Sequence, residues 1–473
     1  MVFSSVPFLF FFFPVVLILY CIVPKNMKNA VMIVGSMFFF AWGEIRYIPV
    51  LCALSVSDYV NGRLMEKYRN DDKKRKIFML IAVGFNLAVL IFFKYVNFLA
   101  SVVNSIFGTT FDPGIILPIG VSFNCFQTIS YAIDVYRGNI KAEKKYYNYL
   151  TYTTLFPQII SGPIVRYKNV QDDIGSHMVT LDGFSRGARR FLVGMAKKVL
   201  IANRVGFLWE QILTGTAGQD TVLLYWLGIV AYTFQIYFDF SGYTDMAIGI
   251  ATIFGLTFPE NFAFPYISRS ITEFWRRWHM TLGNWFRDYV YIPLGGNRKG
   301  TMRQIFNIFV VWALTGFWHG ASWNFAIWGV YFAVVLSLEK FFMLRWISKL
   351  PSFFQHVYTM LLVVVGWVIF SGDNIAAKMG GMTIPHFLGG MFGFNGLPFM
   401  DSQTLYYLLQ YLLLFLIAAY LSTPHFYKFL AKVEGTQSVA VWAIITIVYI
   451  AVFLVCVAFI VSGSYSPFLY LRF

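Results

Sequence analysis

The sequence predicts an all-α polytopic integral membrane protein, and three observations carry that prediction. Of its 473 residues, 58% are hydrophobic and 20% aromatic, while only 12% are charged, far from the balance of a soluble globule. Several apolar stretches reach the roughly 18–20 residues needed to cross a hydrocarbon core. The loops between them alternate in Lys/Arg content, as cytoplasmic and external connections do under the positive-inside rule. No alternating ten-residue pattern points to a membrane barrel. The net charge of +15 is spread over short loops, which fits membrane orientation better than a nucleic-acid surface. Cys21, Cys52, Cys125 and Cys456 are scattered through apolar segments without disulfide or metal-ligand spacing, so no metal site is expected.

The N-terminus has no basic region and no small-residue cleavage site, which predicts a retained first span and not a removed signal. Spans are expected at 6–23, 29–43, 47–62, 78–100 and 115–136. The loop holding Lys25 and Lys28, the run from Arg63 to Lys76 and the segment from Arg137 to Lys145 are basic, and the loops between them are not. This places the N-terminus outside and the basic loops in the cytoplasm. In the middle of the chain, FPQIISGPIVRY is apolar but broken by Pro157 and Pro163, so it is read as a re-entrant segment sheltered by protein. Arg186 to Leu213 mixes Arg189, Arg190, Lys197, Lys198 and Arg204 with apolar residues and is expected to be interfacial or snorkelling. Residues 222–256 carry Asp239 and Asp245 in an apolar run, with Gly242, Ala247 and Gly249 allowing close helix approach. Spans follow at 324–338, 353–370, 404–422 and 438–461, with an external excursion from Ser371 to Ser402. The whole is one membrane domain of about eleven or twelve embedded helices, divided into N-terminal helices (1–145), a central region (146–345) and C-terminal helices (346–473).

Two histidines stand out. His319, in TGFWHGASW, is the only charged or imidazole side chain between Arg303 and Glu339, and such a residue at membrane depth is a functional-site hypothesis by default. The alternative is a neutral imidazole that merely hydrogen-bonds a neighbouring helix. At 1.5 Å per residue His319 lies about 24 Å along a helix starting at Arg303, nearer the outer leaflet unless Gly316 or Gly320 kinks it. The second histidine lies in SITEFWRRWHMTLGNWFRDYVY. There Ser270 and Glu273 form a capping-box pattern, and Phe274, Trp278, Leu282, Trp285 and Tyr289 share one face of a continuous helix. His279 falls at the edge of that face. An amphipathic interfacial helix needs no catalytic role, so His279 is open to either reading. His177, His356, His386 and His425 lie in or beside loops and carry no functional expectation.

The runs PENFAFPYISRSITEFWRRWHMTLGNWFRDYVYIPLGGNRKG and ALTGFWHGASWNFAIWG resemble the membrane-bound O-acyltransferase family, in its bacterial polysaccharide O-acetyltransferase branch. LPIGVSFNCFQTISYAIDVYRG, FPQIISGPIVRY, FDFSGYTDMAIG and the tail SPFLYLRF support the resemblance along nearly the whole chain. It implies that His319 and His279 are the catalytic pair. Asp288, Arg287, Asn284 and Trp318 are separate candidates for supporting positions, Asp288 through a pair with Arg277 or Arg287. It further implies no permanently bound cofactor and a cytoplasmic acetyl-CoA or carrier thioester as donor. The acceptor would be a hydroxyl destined for a cell-surface polysaccharide, reached through an extracellular SGNH-type partner. The implied location is the bacterial plasma membrane. Arg276, Arg277, Arg298 and Lys299 are candidates for attracting an anionic CoA, or else simple positive-inside anchors. Two other readings are weighed: D-alanyl transfer to teichoic acid, and a polytopic transporter. A transporter would be expected to show repeated halves, which the sequence lacks.

Overall fold

The computed structural model describes residues 1–175, 178–436 and 438–463. His177 and the tail motif from Ser466 to Phe473 lie outside the described residues. Among the described residues the fold is all helix, and seven helical stretches are long and apolar enough to cross a membrane. The expected spans are found with shifted ends: Lys28–Glu44, Ile48–Lys67, Asp72–Phe107, Val121–Arg137, Trp323–Leu338, Ser352–Phe370, Ser402–Leu421 and Val439–Val461. Asp72–Phe107 is longer than expected, because Asp71 caps its start by accepting from the Lys74 N–H at 3.1 Å and Gly108 closes it in a left-handed conformation. The broken FPQIISGP region forms short turns around Phe156–Ile159, all four residues of which are buried, so protein shelters it as expected.

The bundle is built around Val222–Ile253, the central helix, whose residues are almost all buried. Leu181–Ala196 lies along it at backbone contact. A Cβ added to Gly194 would come within 2.5 Å of the Gly242 carbonyl oxygen, and one added to Gly187 within 2.5 Å of the Gly249 carbonyl oxygen. The two glycines on each helix are seven residues apart, so both contacts fall on one stripe.

This corrects the interfacial reading of Arg186 to Leu213. The chain continues from Leu181–Ala196 through a π-helical stretch, Lys197–Ala202, into Asn203–Leu213. Lys197 and Lys198 do not snorkel but point inward. Lys197 pairs with Asp245 at 2.6 Å and Lys198 with Asp239 at 2.5 Å, all four side chains being buried. Arg190 adds bonds to Asp245 at 2.9 Å and to Glu260 at 2.5 Å. The mix of apolar and basic residues imitates a membrane-surface helix because the matching carboxylates lie some 40 to 70 residues away.

The segment from Ser270 also departs from expectation. Ser270 caps the helix start, its hydroxyl accepting from the Glu273 N–H at 3.0 Å. Helix Ile271–Arg277 then stops, Trp278 and His279 break the path, and Met280–Phe286 resumes it, followed by a π turn over Arg287–Tyr291. The predicted apolar face is real: Phe274, Trp278, Leu282, Trp285 and Tyr289 are all buried. They pack against protein, however, in two aromatic clusters on either side of the break. Buried Glu339 accepts from the Ile271 and Thr272 N–H groups at 2.7 and 2.8 Å, so a carboxylate from the far end of another span satisfies the first turn.

The glycine stripe is directly testable. Gly194→Ala drives a methyl into the central helix backbone and should cost about 1–3 kcal/mol, read as a lowered unfolding temperature in detergent. Gly84→Ala, on an open face of Asp72–Phe107 with nothing within 4 Å, should be neutral or slightly stabilising. Equal behaviour of the two variants would contradict the close contact.

Candidate active site

Both candidate histidines stand where a helix ends inside the protein. His279 occupies the break between Ile271–Arg277 and Met280–Phe286 with φ 45° and ψ 53°, in the left-handed region. A β-substituted residue is costly there, on the order of 1–2 kcal/mol, and among the described residues only Phe264 shares this property outside glycine. Asn261 holds the break. Its carbonyl oxygen accepts from the Met280 N–H at 2.9 Å. Its side-chain oxygen accepts from the Thr281 N–H at 3.2 Å and the Thr281 hydroxyl at 2.8 Å, and lies 3.0 Å from His279 Nδ1.

These contacts decide the tautomer. An oxygen that accepts from a backbone N–H fixes the amide orientation, and an oxygen can only accept. His279 Nδ1 therefore donates to Asn261, and in the neutral ring Nε2 carries the lone pair. His279 is 2% exposed, and among the described residues Nε2 has no hydrogen-bond partner. Phe240 meets the ring edge-on at 4.8 Å between centroids, and Phe123 stacks at 6.5 Å.

His319 is the last residue of Thr301–His319, and Gly320 turns the chain outward in an extended conformation. The helix runs unbroken through Gly316. A Cβ at that glycine would fall 2.3 Å from the Phe325 carbonyl oxygen, so Gly316 serves the tight antiparallel packing of Trp323–Leu338. His319 is 4% exposed and boxed by Trp328 and Phe370, each at 5.1 Å. Trp318 links the two histidines: its indole lies 4.9 Å from the His319 ring and 6.0 Å from the His279 ring. Two imidazoles thus share one indole in an aromatic interior.

The other predicted supporting residues lie elsewhere. Asn284 and Arg287 are exposed. Asp288 joins Arg166 at 2.7 Å and Arg287 at 2.8 Å, and not Arg277, which bonds Glu273 at 2.8 Å and the Ala263 carbonyl at 3.0 Å. Burial pushes the Asp288 carboxyl up, but the bonds from Arg287 and Arg166 outweigh this and hold it below the usual carboxylate range. Asp288 therefore fastens the end of the segment. Asn261, within the PENFAF run, is not among the residues that the sequence singles out, because an isolated asparagine carries no signal until its partners are known.

A cleft of about 600 Å³ opens beside this site. Its walls include Arg186, Arg190, Lys197 and Glu260, and it reaches Phe262 and Met280. Met280 follows His279 directly, and Phe262 packs on Phe240 at 5.1 Å. A charged entrance therefore leads to the aromatic shell around His279. Among the described residues no three His, Cys, Asp or Glu side chains converge as metal ligands would.

The chain is thus an all-helical membrane bundle with two interior histidines at helix ends. The sequence profile of the MBOAT, membrane-bound O-acyltransferase, family matches residues 143–379, and this chain belongs to that family. It is 37% identical to the probable alginate O-acetylase AlgI of Pseudomonas putida over the full length of both chains. It is 30% identical to the peptidoglycan O-acetyltransferase of Helicobacter pylori over 84% of this chain and 80% of that one. It is 31% identical to the teichoic acid D-alanyltransferase of Bacillus subtilis over 54% of this chain and 68% of that one.

The Asn261 contacts yield an expectation about rate. Asn261→Leu removes the acceptor that fixes the His279 tautomer, and a misoriented ring should lower the turnover number roughly 100-fold. Asn261→Asp, which keeps an acceptor, should retain more activity. Steady-state acyl-transfer kinetics on the detergent-solubilised variants measure this, and wild-type turnover in Asn261→Leu would remove Asn261 from the site.

Proposed function

We infer that this enzyme moves an acetyl group from a cytoplasmic thioester, acetyl-CoA, to a hydroxyl acceptor for O-acetylation of a cell-surface polysaccharide, across a bacterial plasma membrane. The observation that carries this reading is the pair of buried imidazoles sharing the Trp318 indole, with a charged cleft ending at the residue next to His279. The names of the relatives support the acetyl and polysaccharide parts of the reading.

Acyl transfer to a hydroxyl needs a base and a positioned carbonyl. In this reading His319 takes the proton of the acceptor hydroxyl as its oxygen attacks the thioester carbonyl. The carbon–sulfur bond then breaks, and the proton passes from the imidazolium to the departing thiolate. His279, with Nδ1 committed to Asn261, offers an acceptor at Nε2. That suits orienting the hydroxyl better than donating to an oxyanion. Arg186 at the cleft supplies positive charge for the phosphates of CoA, since Arg190 and Lys197 are matched by Asp245 and Glu260, and Arg276, Arg298 and Lys299 are additional surface candidates. The positive-inside rule puts the basic loops, and hence the donor, in the cytoplasm and the N-terminus outside. The acceptor is an extracellular SGNH-type protein that passes the acetyl group to the polymer.

The D-alanyl reading draws on the teichoic acid relative. Purified protein that turns over a carrier-borne D-alanyl thioester but not acetyl-CoA would favour it. The transporter reading has no observation in its favour.

His319→Ala should leave the amount of protein in the membrane intact and abolish O-acetyl groups on the surface polymer, measured by ester release from purified polysaccharide. Normal acetylation in cells carrying only that variant would sink the assignment.

A further inference from the structure

Lys94 is the only charged side chain between Lys76 and Asp112, and it lies well inside Asp72–Phe107 at 7% exposure. Its ammonium donates to the Trp318 carbonyl oxygen and sits 5.7 Å from the Trp318 ring. The next residue repeats the arrangement: the Tyr95 hydroxyl donates to the Phe317 carbonyl oxygen at 2.7 Å. Two consecutive side chains of one span thus take two consecutive carbonyls at the end of another.

Those carbonyls belong to the last turn of Thr301–His319, where no further helical N–H is available. Burying an ammonium carries a desolvation penalty of several kcal/mol, and a neutral hydroxyl such as that of Tyr95 already suffices to satisfy a carbonyl. The ammonium adds a positive charge at the negative end of the helix dipole. The carbonyl it holds belongs to the peptide unit joining Trp318 to His319, so the bond fixes the plane from which the His319 side chain departs.

We propose that Lys94 is a positioning residue of the acyl-transfer site, its ammonium anchoring the Trp318–His319 peptide and so setting where the His319 ring stands. This rests on the acyl-transfer reading of His319. Loss of the anchor leaves the donor cleft untouched, so it should act on the chemical step and not on donor binding.

The test uses the full-length protein in detergent, with acetyl-CoA as donor, a large excess of glycerol as hydroxyl acceptor and thiol release as readout. Lys94→Met is compared with wild type and with His319→Ala, with unfolding temperature and elution volume confirming the fold. The expected result is a drop in kcat of roughly 100-fold, the effect of about an ångström of misplacement, with KM for acetyl-CoA within about threefold of wild type. A folded Lys94→Met protein with kcat within about threefold of wild type overturns the proposal, as does a rise in KM with kcat unchanged. If Lys94→Met does not accumulate, Lys94→Gln is read by the same split, with a loss of about tenfold or more expected and wild-type kcat overturning the proposal. Wild-type protein that turns over no acetyl-CoA refutes the donor reading itself, an outcome distinct from any behaviour of Lys94.

Discussion

Backbone amides that end a helix within an apolar bundle have no water to turn to, and every such end must find its partners in the protein itself. The candidate active site is assembled from the solutions to that constraint. The break at His279 exposes the N–H groups of Met280 and Thr281, and Asn261 takes both. The end at His319 exposes the carbonyls of Phe317 and Trp318, and Tyr95 and Lys94 take those. Satisfying the backbone and placing the imidazoles are therefore one structural task. A helix that passed straight through either point would need no such partners and would present its histidine to a neighbouring side chain only.

The same need for partners governs charge. Lys197, Lys198, Asp239 and Asp245 are buried in matched pairs, and Glu339 is committed to a helix start. Buried ionic groups of this kind add little net stability over apolar packing, but removing one partner is costly because it strands the other. They act chiefly as registers that fix how Leu181–Ala196 and the segment after it lie on the central helix.

Much of this architecture is legible in the amino-acid sequence alone, and the exceptions have a common cause. Spans declare themselves through length and hydropathy, which are local properties, and His319 declares itself as a lone imidazole in such a span. By the same criterion Lys94 is equally conspicuous, a single cation in an apolar run, but nothing near it in the chain says which backbone it serves. The break at Trp278 and His279 leaves no trace, since the residues around it keep a helical apolar period and only Asn261, 18 positions earlier, compensates the left-handed turn. The inward direction of Lys197 and Lys198 is hidden because their carboxylates are distant in sequence. What depends on neighbours along the chain is legible, and what depends on partners brought together by folding is not.

The glycine contacts between Leu181–Ala196 and the central helix have a further consequence for how the bundle can move. Backbones touching at two points seven residues apart, and pinned beside them by buried ion pairs, leave no room for these two helices to slide along one another. Any motion of the bundle must therefore carry these two helices together as one body.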